Sequence, residues 1–440
     1  MGRLLVLTSI FCAIAGLFYP WIGVLYGYMD AILEPQDIWF WAFHGMRAEF
    51  WVLFPTCVGA VVWMLRGKCS FKILQARRNT YLFLLWILLI LSYFLGPFTH
   101  VGGPYRFDNA TTMLWRVNKM MLFYFVACLC IDTERKTKFL YFVVFGSIAY
   151  LAFWANHQYW TGHYFGRLTG PESPTGYGLY TDQNAFAMLF VVAQPFFWHF
   201  GALVKNKWGK WLSWGFMLLS WNAIFLTGSR GGFLGLAVVL LLLVARSQKK
   251  FIGLLLLPLF SFAVIYHGGS VFKRRILTIN HYQQNASAEE RLEAWRAALR
   301  MAEAHPVFGV GLASFGPAFP HFSTEHPRET HDTVLQITAE SGVPAGMTYV
   351  AIAAMLIFAL WKNGARLKQD IKEESNKVLL AINEATLIGF CGYLTCGIFL
   401  SLQYYEIYYC LNVLANSVIY LSSRRFQGRN YSLTYSPVEG

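Results

Sequence analysis

Residues 344–361 read PAGMTYVAIAAMLIFALW, a run of eighteen residues without one charged side chain. Because about 17–25 apolar residues cross a bilayer as a helix, this stretch predicts a membrane-spanning helix. Similar apolar windows recur along the chain. We predict twelve spans, near residues 4–20, 50–65, 81–97, 113–131, 139–156, 185–201, 211–227, 232–245, 251–266, 344–361, 379–402 and 405–421.

The composition of the chain leads to the same fold class. Of its 440 residues, 56% are hydrophobic and only 13% are charged, which leaves too little polar surface to cover a soluble globule of this size. We therefore predict an all-α integral membrane protein. The first span has no small-residue cleavage site after it, so it is predicted to be a retained helix rather than a signal peptide.

The basic residues predict the orientation of the spans. Short cytoplasmic loops collect Lys and Arg, and with the N-terminus inside, the inner segments contain 23 of the 36 basic residues. The net charge of +13 is thus a sign of topology, and no nucleic-acid partner is predicted. Both termini are predicted to be cytoplasmic.

The predicted spans divide the chain into four parts. Residues 1–266 hold spans one to nine, 267–343 form a long exported segment, 344–421 hold the last three spans, and 422–440 form a loose cytoplasmic tail. The exported segment has room for a folded, hydrated site, so we expect the functional residues there. The eight cysteines lie in or beside predicted spans, so no disulfide framework is predicted, and no zinc-binding spacing occurs.

The first candidate residue is Arg291. Residues 287–290 (Ser-Ala-Glu-Glu) form a capping box that predicts an amphipathic helix over 288–304. Arg291 lies in its first turn, where the helix dipole disfavours a cation. An anionic ligand would relieve this mismatch, and so would Glu289 and Glu290. The apolar stripe of this helix is predicted to consist of Leu292, Trp295, Leu299 and Ala302.

The second candidate is His331. Thr330 is predicted to cap a helix from His331 to Ser341, which places the imidazole in a first turn. The positive end of the dipole then disfavours imidazolium, and a neutral ring can accept a proton. A structural histidine is the alternative interpretation. Asp332 is expected to point to a different face, so no His–Asp dyad is predicted.

Arg230 is the third candidate, within Thr-Gly-Ser-Arg-Gly-Gly at residues 227–232. Glycines at the start of a helix expose backbone N–H groups that favour an anion, and a guanidinium group matches a phosphate. An arginine that extends from a helix end toward the membrane surface is the alternative. We favour the functional interpretation because arginine close to hydrocarbon is costly.

Four further residues are weaker candidates. Arg116 and Lys119 lie one turn apart near the outer end of span four, where they either attract an anionic headgroup or extend to the membrane surface. Asp182 and Asn184 open span six. We prefer the interpretation that they cap this helix, with a substrate contact as the alternative.

Together these motifs, in this order, resemble the O-antigen ligase and polymerase superfamily. The resemblance covers about residues 180–360. It rests on residues 227–232, on Arg-Leu-Glu-Ala-Trp-Arg at 291–296 with His-Pro-Val-Phe-Gly-Val-Gly at 305–311, and on Thr-His-Asp-Thr-Val-Leu at 330–335. The N-terminal third is also similar to O-glycosylation ligases of the exosortase-associated group. Family members often have His-Asn where this chain has His331 and Asp332, so no family role is carried over to Asp332.

The resemblance implies a GT-C-like glycosyltransferase of the bacterial inner membrane. Such an enzyme would move a glycan from undecaprenyl diphosphate to a hydroxyl of the lipid A core at the periplasmic face. In that reaction Arg230 and Arg291 would stabilise the diphosphate leaving group, and His331 would accept the hydroxyl proton. Membrane lipids would surround the spans, and we expect a metal-independent reaction without a cofactor.

Other functions stay open at this stage. An O-antigen polymerase or a protein O-oligosaccharyltransferase would use the same donor, and only the acceptor separates these enzymes. A lipid-linked glycan transporter is the non-enzymatic alternative. A transporter would need charged residues along a central path and usually related halves of the chain, and the sequence shows neither repeated halves nor broken helices.

Overall fold

The computed structural model describes residues 2–43, 46, 48–101, 109–163, 166–172, 180–246, 286–369 and 373–434. All regular elements in these ranges are helices. They are α1 (Gly2–Phe18), α2 (Pro20–Leu33), α3 (Pro35–Ile38), α4 (Phe40–Phe43), α5 (Ala48–Leu65), α6 (Arg77–Leu95), α7 (Ala110–Cys130), α8 (Glu134–Trp160), α9 (Gln183–His199), α10 (Lys207–Thr227), α11 (Arg230–Arg246), α12 (Ala286–Ala304), α13 (Phe315–Ala318), α14 (Thr333–Ser341), α15 (Val343–Gln369), α16 (Glu374–Gly397) and α17 (Glu406–Thr434), with short 3₁₀ turns at Phe71–Gln75, Phe200–Ala202 and Phe319–His321.

The structure confirms an all-α, multi-pass membrane protein. Seven of the described helices are long and apolar enough to cross a bilayer: α5, α6, α7, α8, α9 with its following 3₁₀ turn, α15 and α16. The count of twelve spans stays a prediction. The span predicted at 251–266 and the start of the exported segment, 267–285, lie outside the described residues.

Two ends of the helix bundle matter for function. We call one the site end, where Arg116 and His331 line a common cavity, and the other the basic end, where Ser70 and Arg78 line a second cavity. Helix α17 joins them. It begins at Glu406, which pairs with Arg116, and Tyr420 further along contacts the Ser70 hydroxyl at 2.9 Å. The two cavities therefore lie at opposite ends of the bundle.

The N-terminal region differs from the prediction. The Trp63 indole N–H donates to the Phe18 carbonyl at 2.9 Å, so α1 ends beside the end of α5. A Cβ added at Gly2 would lie 2.7 Å from the Ala42 Cβ, so α1 begins near the start of α5. Helix α2 then runs back toward the site end. The sequence did not predict this reversal, and the cytoplasmic location of both termini stays a prediction.

The last helix extends beyond the predicted span, which ended at residue 421. A loose tail was expected from Ser422, but α17 continues as one helix to Thr434. Arg425 anchors it, because its guanidinium group pairs with Glu134 at 2.6 Å and donates to Asn376 at 3.1 Å. Helices α8 and α16 thus hold the extension in place.

The described part of the exported segment folds onto the bundle as a small second layer. Its own apolar cluster consists of Ala294, Ala297, Ala298, Met301, Val310, Phe315, Ala318, Phe319 and Ala339. The predicted stripe of α12 was wrong in part, because Leu299 is 53% exposed while the alanines of the neighbouring face are buried. Small side chains allow closer helix packing than leucine does, so α12 docks against α14 through its alanine face.

Candidate active site

A cavity of about 370 Å³ occupies the site end. Its wall combines the start of α7, the turn before α9, the chain from Pro327 to His331, α14, and the connection between α16 and α17. The charged and titratable groups on this wall are Arg116, Asp182, Arg328, Glu329, His331, Glu340, Tyr404 and Tyr405. Cations, carboxyl groups and an imidazole therefore line the same cavity.

Backbone contacts fix α14 beside this cavity. The Gly311 N–H and the Ser92 hydroxyl both donate to the Glu340 carbonyl, at 2.9 and 2.8 Å. Gly309 has a φ of +69°, and a Cβ there would lie 2.3 Å from the Glu340 carbonyl carbon. The turn at 305–311 therefore needs glycine for its close approach to α14. At the other end of α14, the Thr333 hydroxyl donates to the Leu400 carbonyl at 2.7 Å.

His331 precedes α14 and is not in its first turn. Asp332 is the N-cap and accepts a hydrogen bond from the Leu335 N–H at 2.9 Å, which corrects the predicted cap at Thr330. His331 has a φ of +51°, in the left-handed region that costs a non-glycine residue about 1–3 kcal/mol. Thr330 compensates, because its N–H and hydroxyl donate to the Gln336 side chain at 3.1 and 2.8 Å.

The surroundings of His331 keep its ring neutral. Partial burial lowers the pKa of His331 most, and the positive charges of Arg291 and Arg328 lower it further, while Asp182 acts in the opposite direction. The sequence attributed a neutral imidazole to the helix dipole. In the structure, burial and two arginines lower the pKa of His331 instead. A neutral ring at physiological pH is able to accept a proton.

Arg291 is close enough to His331 for its charge to influence the imidazole. Helix α12 is docked there by the Trp295 indole, which donates to the Thr330 carbonyl at 3.0 Å. Glu290, considered as a partner for Arg291, instead pairs with Arg328 at 2.9 Å. Within the described part of the chain, no carboxylate lies within ion-pair distance of Arg291, so the half-buried guanidinium is available to an anionic ligand.

Arg230 begins α11 at the site end but is not part of the cavity wall. The next residue, Gly231, is close to Phe399, since a Cβ there would lie 3.1 Å from the Phe399 Cβ. The first turn of α11 is already capped, because the Gly232 N–H donates to the Ser229 hydroxyl at 3.0 Å. This N–H is therefore not exposed to an anion, contrary to the prediction.

Both cations predicted on α7 have carboxylate partners. Arg116 donates to the two Glu406 carboxylate oxygens at 3.2 Å, and Lys119 pairs with Glu49 at 2.5 Å. Arg116 nevertheless lines the cavity, whereas Lys119 does not. Lys119 lines a neighbouring groove instead.

This groove, of about 980 Å³, lies between α5 and α7. Its apolar wall includes side chains that are largely exposed, among them Phe50, Phe54 and Trp115. Arg116 lines both the groove and the cavity. The apolar groove and the charged cavity are therefore adjacent, and Arg116 lies between them.

Asp182 and Asn184 have different roles from each other. The Asp182 carboxylate accepts from the Asn184 and Ala185 N–H groups at 2.7 and 2.9 Å, as the capping interpretation predicted, and it also faces the cavity. The Asn184 amide oxygen accepts from Arg167 at 3.3 Å. Arg167, which the sequence analysis did not single out, also donates to the Thr227 carbonyl at 2.8 Å and ties α10 to α9.

Glu340 also lines the cavity, although no sequence motif identified it. This carboxyl group is only 3% exposed and accepts hydrogen bonds from Gln336 at 2.7 Å and Tyr404 at 3.2 Å. Burial raises the pKa of Glu340 to about 8, which favours the protonated form of this carboxyl group. The signal available in the sequence was the spacing of Gln336 and Glu340, which lie four positions apart on one face of α14.

Comparison with known protein families agrees with the resemblance noted in the sequence. Residues 215–350 match the family model for O-antigen ligase, which confirms the resemblance to the O-antigen ligase superfamily. The match includes Arg230, Arg291 and His331. A search of curated proteins found no match.

Proposed function

We propose that this chain transfers a glycan from undecaprenyl diphosphate to a hydroxyl of the lipid A core, at the periplasmic face of the bacterial inner membrane. The single observation that carries this proposal is the cavity at the site end, which meets the apolar groove at Arg116, a residue that lines both. A neutral His331 lines this cavity, and the charge of Arg291 lowers its pKa. The groove suits a polyprenyl chain. The cavity suits a diphosphate and the attached sugar.

In the proposed reaction the acceptor oxygen attacks the anomeric carbon of the donor sugar. As that bond forms, the bond from the anomeric carbon to the diphosphate oxygen breaks, and its electron pair stays on the diphosphate. His331 takes the proton of the acceptor hydroxyl. Arg291, with Arg230 and Arg116 as further candidates, stabilises the charge that develops on the leaving group.

The exported segment would place this chemistry outside the cytoplasm. The basic end carries Lys and Arg clusters of the kind that stay cytoplasmic, so the site end would face the periplasm. The diphosphate charge is offset by guanidinium groups in this proposal, and the reaction is metal-independent without a cofactor.

A transfer assay with a choice of acceptors tests this function. The purified full chain in nanodiscs receives undecaprenyl-diphosphate-linked glycan together with lipid A core, with a second donor glycan, or with a Ser/Thr-containing peptide. Mass spectrometry then identifies the product. We expect product on lipid A core. Product on the second glycan would instead identify a polymerase, product on the peptide a protein O-oligosaccharyltransferase, and no product with any acceptor would reject the enzyme.

The pH dependence of transfer should report the charges around His331. Arg328→Gln removes a positive charge that lowers the pKa of His331, so this pKa rises and the acid limb of the kcat profile moves to higher pH. Asp182→Asn removes a negative charge, so the limb moves to lower pH, while asparagine is still able to cap α9. Profiles of kcat against pH for the three proteins check the two signs. Shifts in the same direction would contradict the role of His331 as the base.

A further inference from the structure

The basic end contains a second cavity, of about 610 Å³, that the proposed reaction does not use. Three cations line it: Lys72, Arg78 and Arg424. Lys72 and Arg424 are exposed, but Arg78 is only 6% exposed. The wall therefore combines a buried guanidinium group with two cations near solvent.

The partner of the buried Arg78 guanidinium among the described residues is neutral. The Arg78 Nη2 donates to the Asn416 amide oxygen at 2.6 Å, and its buried Nε has no hydrogen-bond partner in the part of the chain that the structure describes. The Asn416 amide nitrogen is engaged with Asn79 at 2.9 Å and Tyr124 at 2.6 Å. Arg78 is thus held in place by a network that contributes no negative charge.

Within the described ranges, no carboxylate pairs with a cation of this cluster. Among the residues that the structure describes, none of the three cations has an acidic side chain within ion-pair distance. Glu134, which pairs with the adjacent Arg425, also pairs with Lys138. An arginine that is removed from water without a counter-charge costs several kcal/mol, so the cavity favours an anion.

The remaining wall provides groups that suit an oxyanion. Arg78 lies in the first turn of α6, where the positive end of the helix dipole adds to the cationic field. The cap residue Ala76 supplies no side-chain hydrogen bond to the first turn. Ser70 and Tyr420 add hydroxyl groups that contact each other at 2.9 Å. A guanidinium fork, a helix start and hydroxyl groups together match a phosphate.

We propose that the cavity lined by Lys72, Arg78 and Arg424 binds a phosphate group, either the headgroup of an anionic membrane lipid or a soluble phosphate. Arg78 is the central ligand, and Lys72 and Arg424 close the site from the solvent side. The site is separate from the proposed active site, since α17 extends between them. The phosphate-binding proposal therefore does not depend on the proposed glycan transfer.

Two binding measurements distinguish the sources of phosphate. Delipidated full-length protein is titrated with inorganic phosphate and followed by thermal unfolding. In parallel, native mass spectrometry counts lipids retained from nanodiscs of phosphatidylglycerol or phosphatidylcholine. Stabilisation by inorganic phosphate indicates a soluble ligand, and selective retention of phosphatidylglycerol indicates a lipid. If the wild-type protein shows neither, the proposal is overturned.

The variant Arg78→Gln and its neighbour Arg77→Gln form a matched pair. Both remove one positive charge from the same turn, but Arg77 is exposed and not part of the cavity wall. We expect Arg78→Gln to weaken phosphate binding by about tenfold or more, as for loss of a hydrogen bond to a charged group, and Arg77→Gln to bind as wild type does. Equal binding by the two variants would overturn the site.

A second variant covers the case in which Arg78→Gln fails to fold. The double variant Lys72→Gln/Arg424→Gln changes only exposed side chains and leaves the bond from Arg78 to Asn416 intact. We expect this double variant, like Arg78→Gln, to bind phosphate more weakly than the wild-type protein does. Wild-type binding by a well-folded double variant would then overturn the proposal.

Discussion

Replacement of His331 with alanine should lower kcat for glycan transfer by about 10²–10⁴-fold, the contribution of a positioned general base. The half-buried ring faces the cavity, and its lowered pKa keeps it able to accept the acceptor proton. Alanine has no group to take that proton. The transfer assay with lipid-linked donor measures the loss.

The control for this variant is His326→Ala. His326 lies five positions earlier in the same segment, and its side chain is exposed and does not line the cavity. We expect His326→Ala to transfer glycan at the wild-type rate, and both variants to insert in the membrane and unfold at similar temperatures. Wild-type turnover by a well-folded His331→Ala protein would remove the base from the mechanism.

Replacement of Arg291 with alanine should lower kcat by about 10²–10³-fold, comparable to the loss of one preorganised group that stabilises transition-state charge. Negative charge grows on the diphosphate as the glycosidic bond breaks, and Arg291 is the cation near His331 that no described carboxylate neutralises. Arg291→Lys should recover only part of the rate, because lysine keeps the charge but loses the bidentate fork. Measured kcat values should therefore fall in the order wild type, Arg291→Lys, Arg291→Ala.

Arg296→Ala is the matched control on the same helix. Its side chain is 67% exposed and pairs with Glu293 at 3.6 Å, away from the cavity. We expect transfer by this variant near the wild-type rate. If Arg291→Ala and Arg296→Ala lose activity to the same extent, the effect belongs to the general charge of α12, and the assignment of Arg291 fails.

The sequence identified those site residues that belong to a local motif, such as the start of a helix. Arg291 and His331 stand near helix starts in one polar segment, and the structure places them close together. Glu340 was not identified, because its burial depends on Tyr404, which lies 64 positions further along the chain. Arg116 was recognised as a cation near the site, but its partner Glu406 is 290 positions away. Spacing within a helix carries no information about such pairs.

By itself, the sequence determined that this chain is a helical membrane protein with a polar segment between apolar spans. Bilayer-length apolar runs and loop charge are properties of short stretches, so they are readable without a fold. Only the tertiary structure decided that α2 reverses the chain, that Glu49 neutralises Lys119, and that Arg78 is buried beside Asn416. These outcomes depend on which helices pack together, because burial and ion pairing arise from contacts between segments that are distant in the chain.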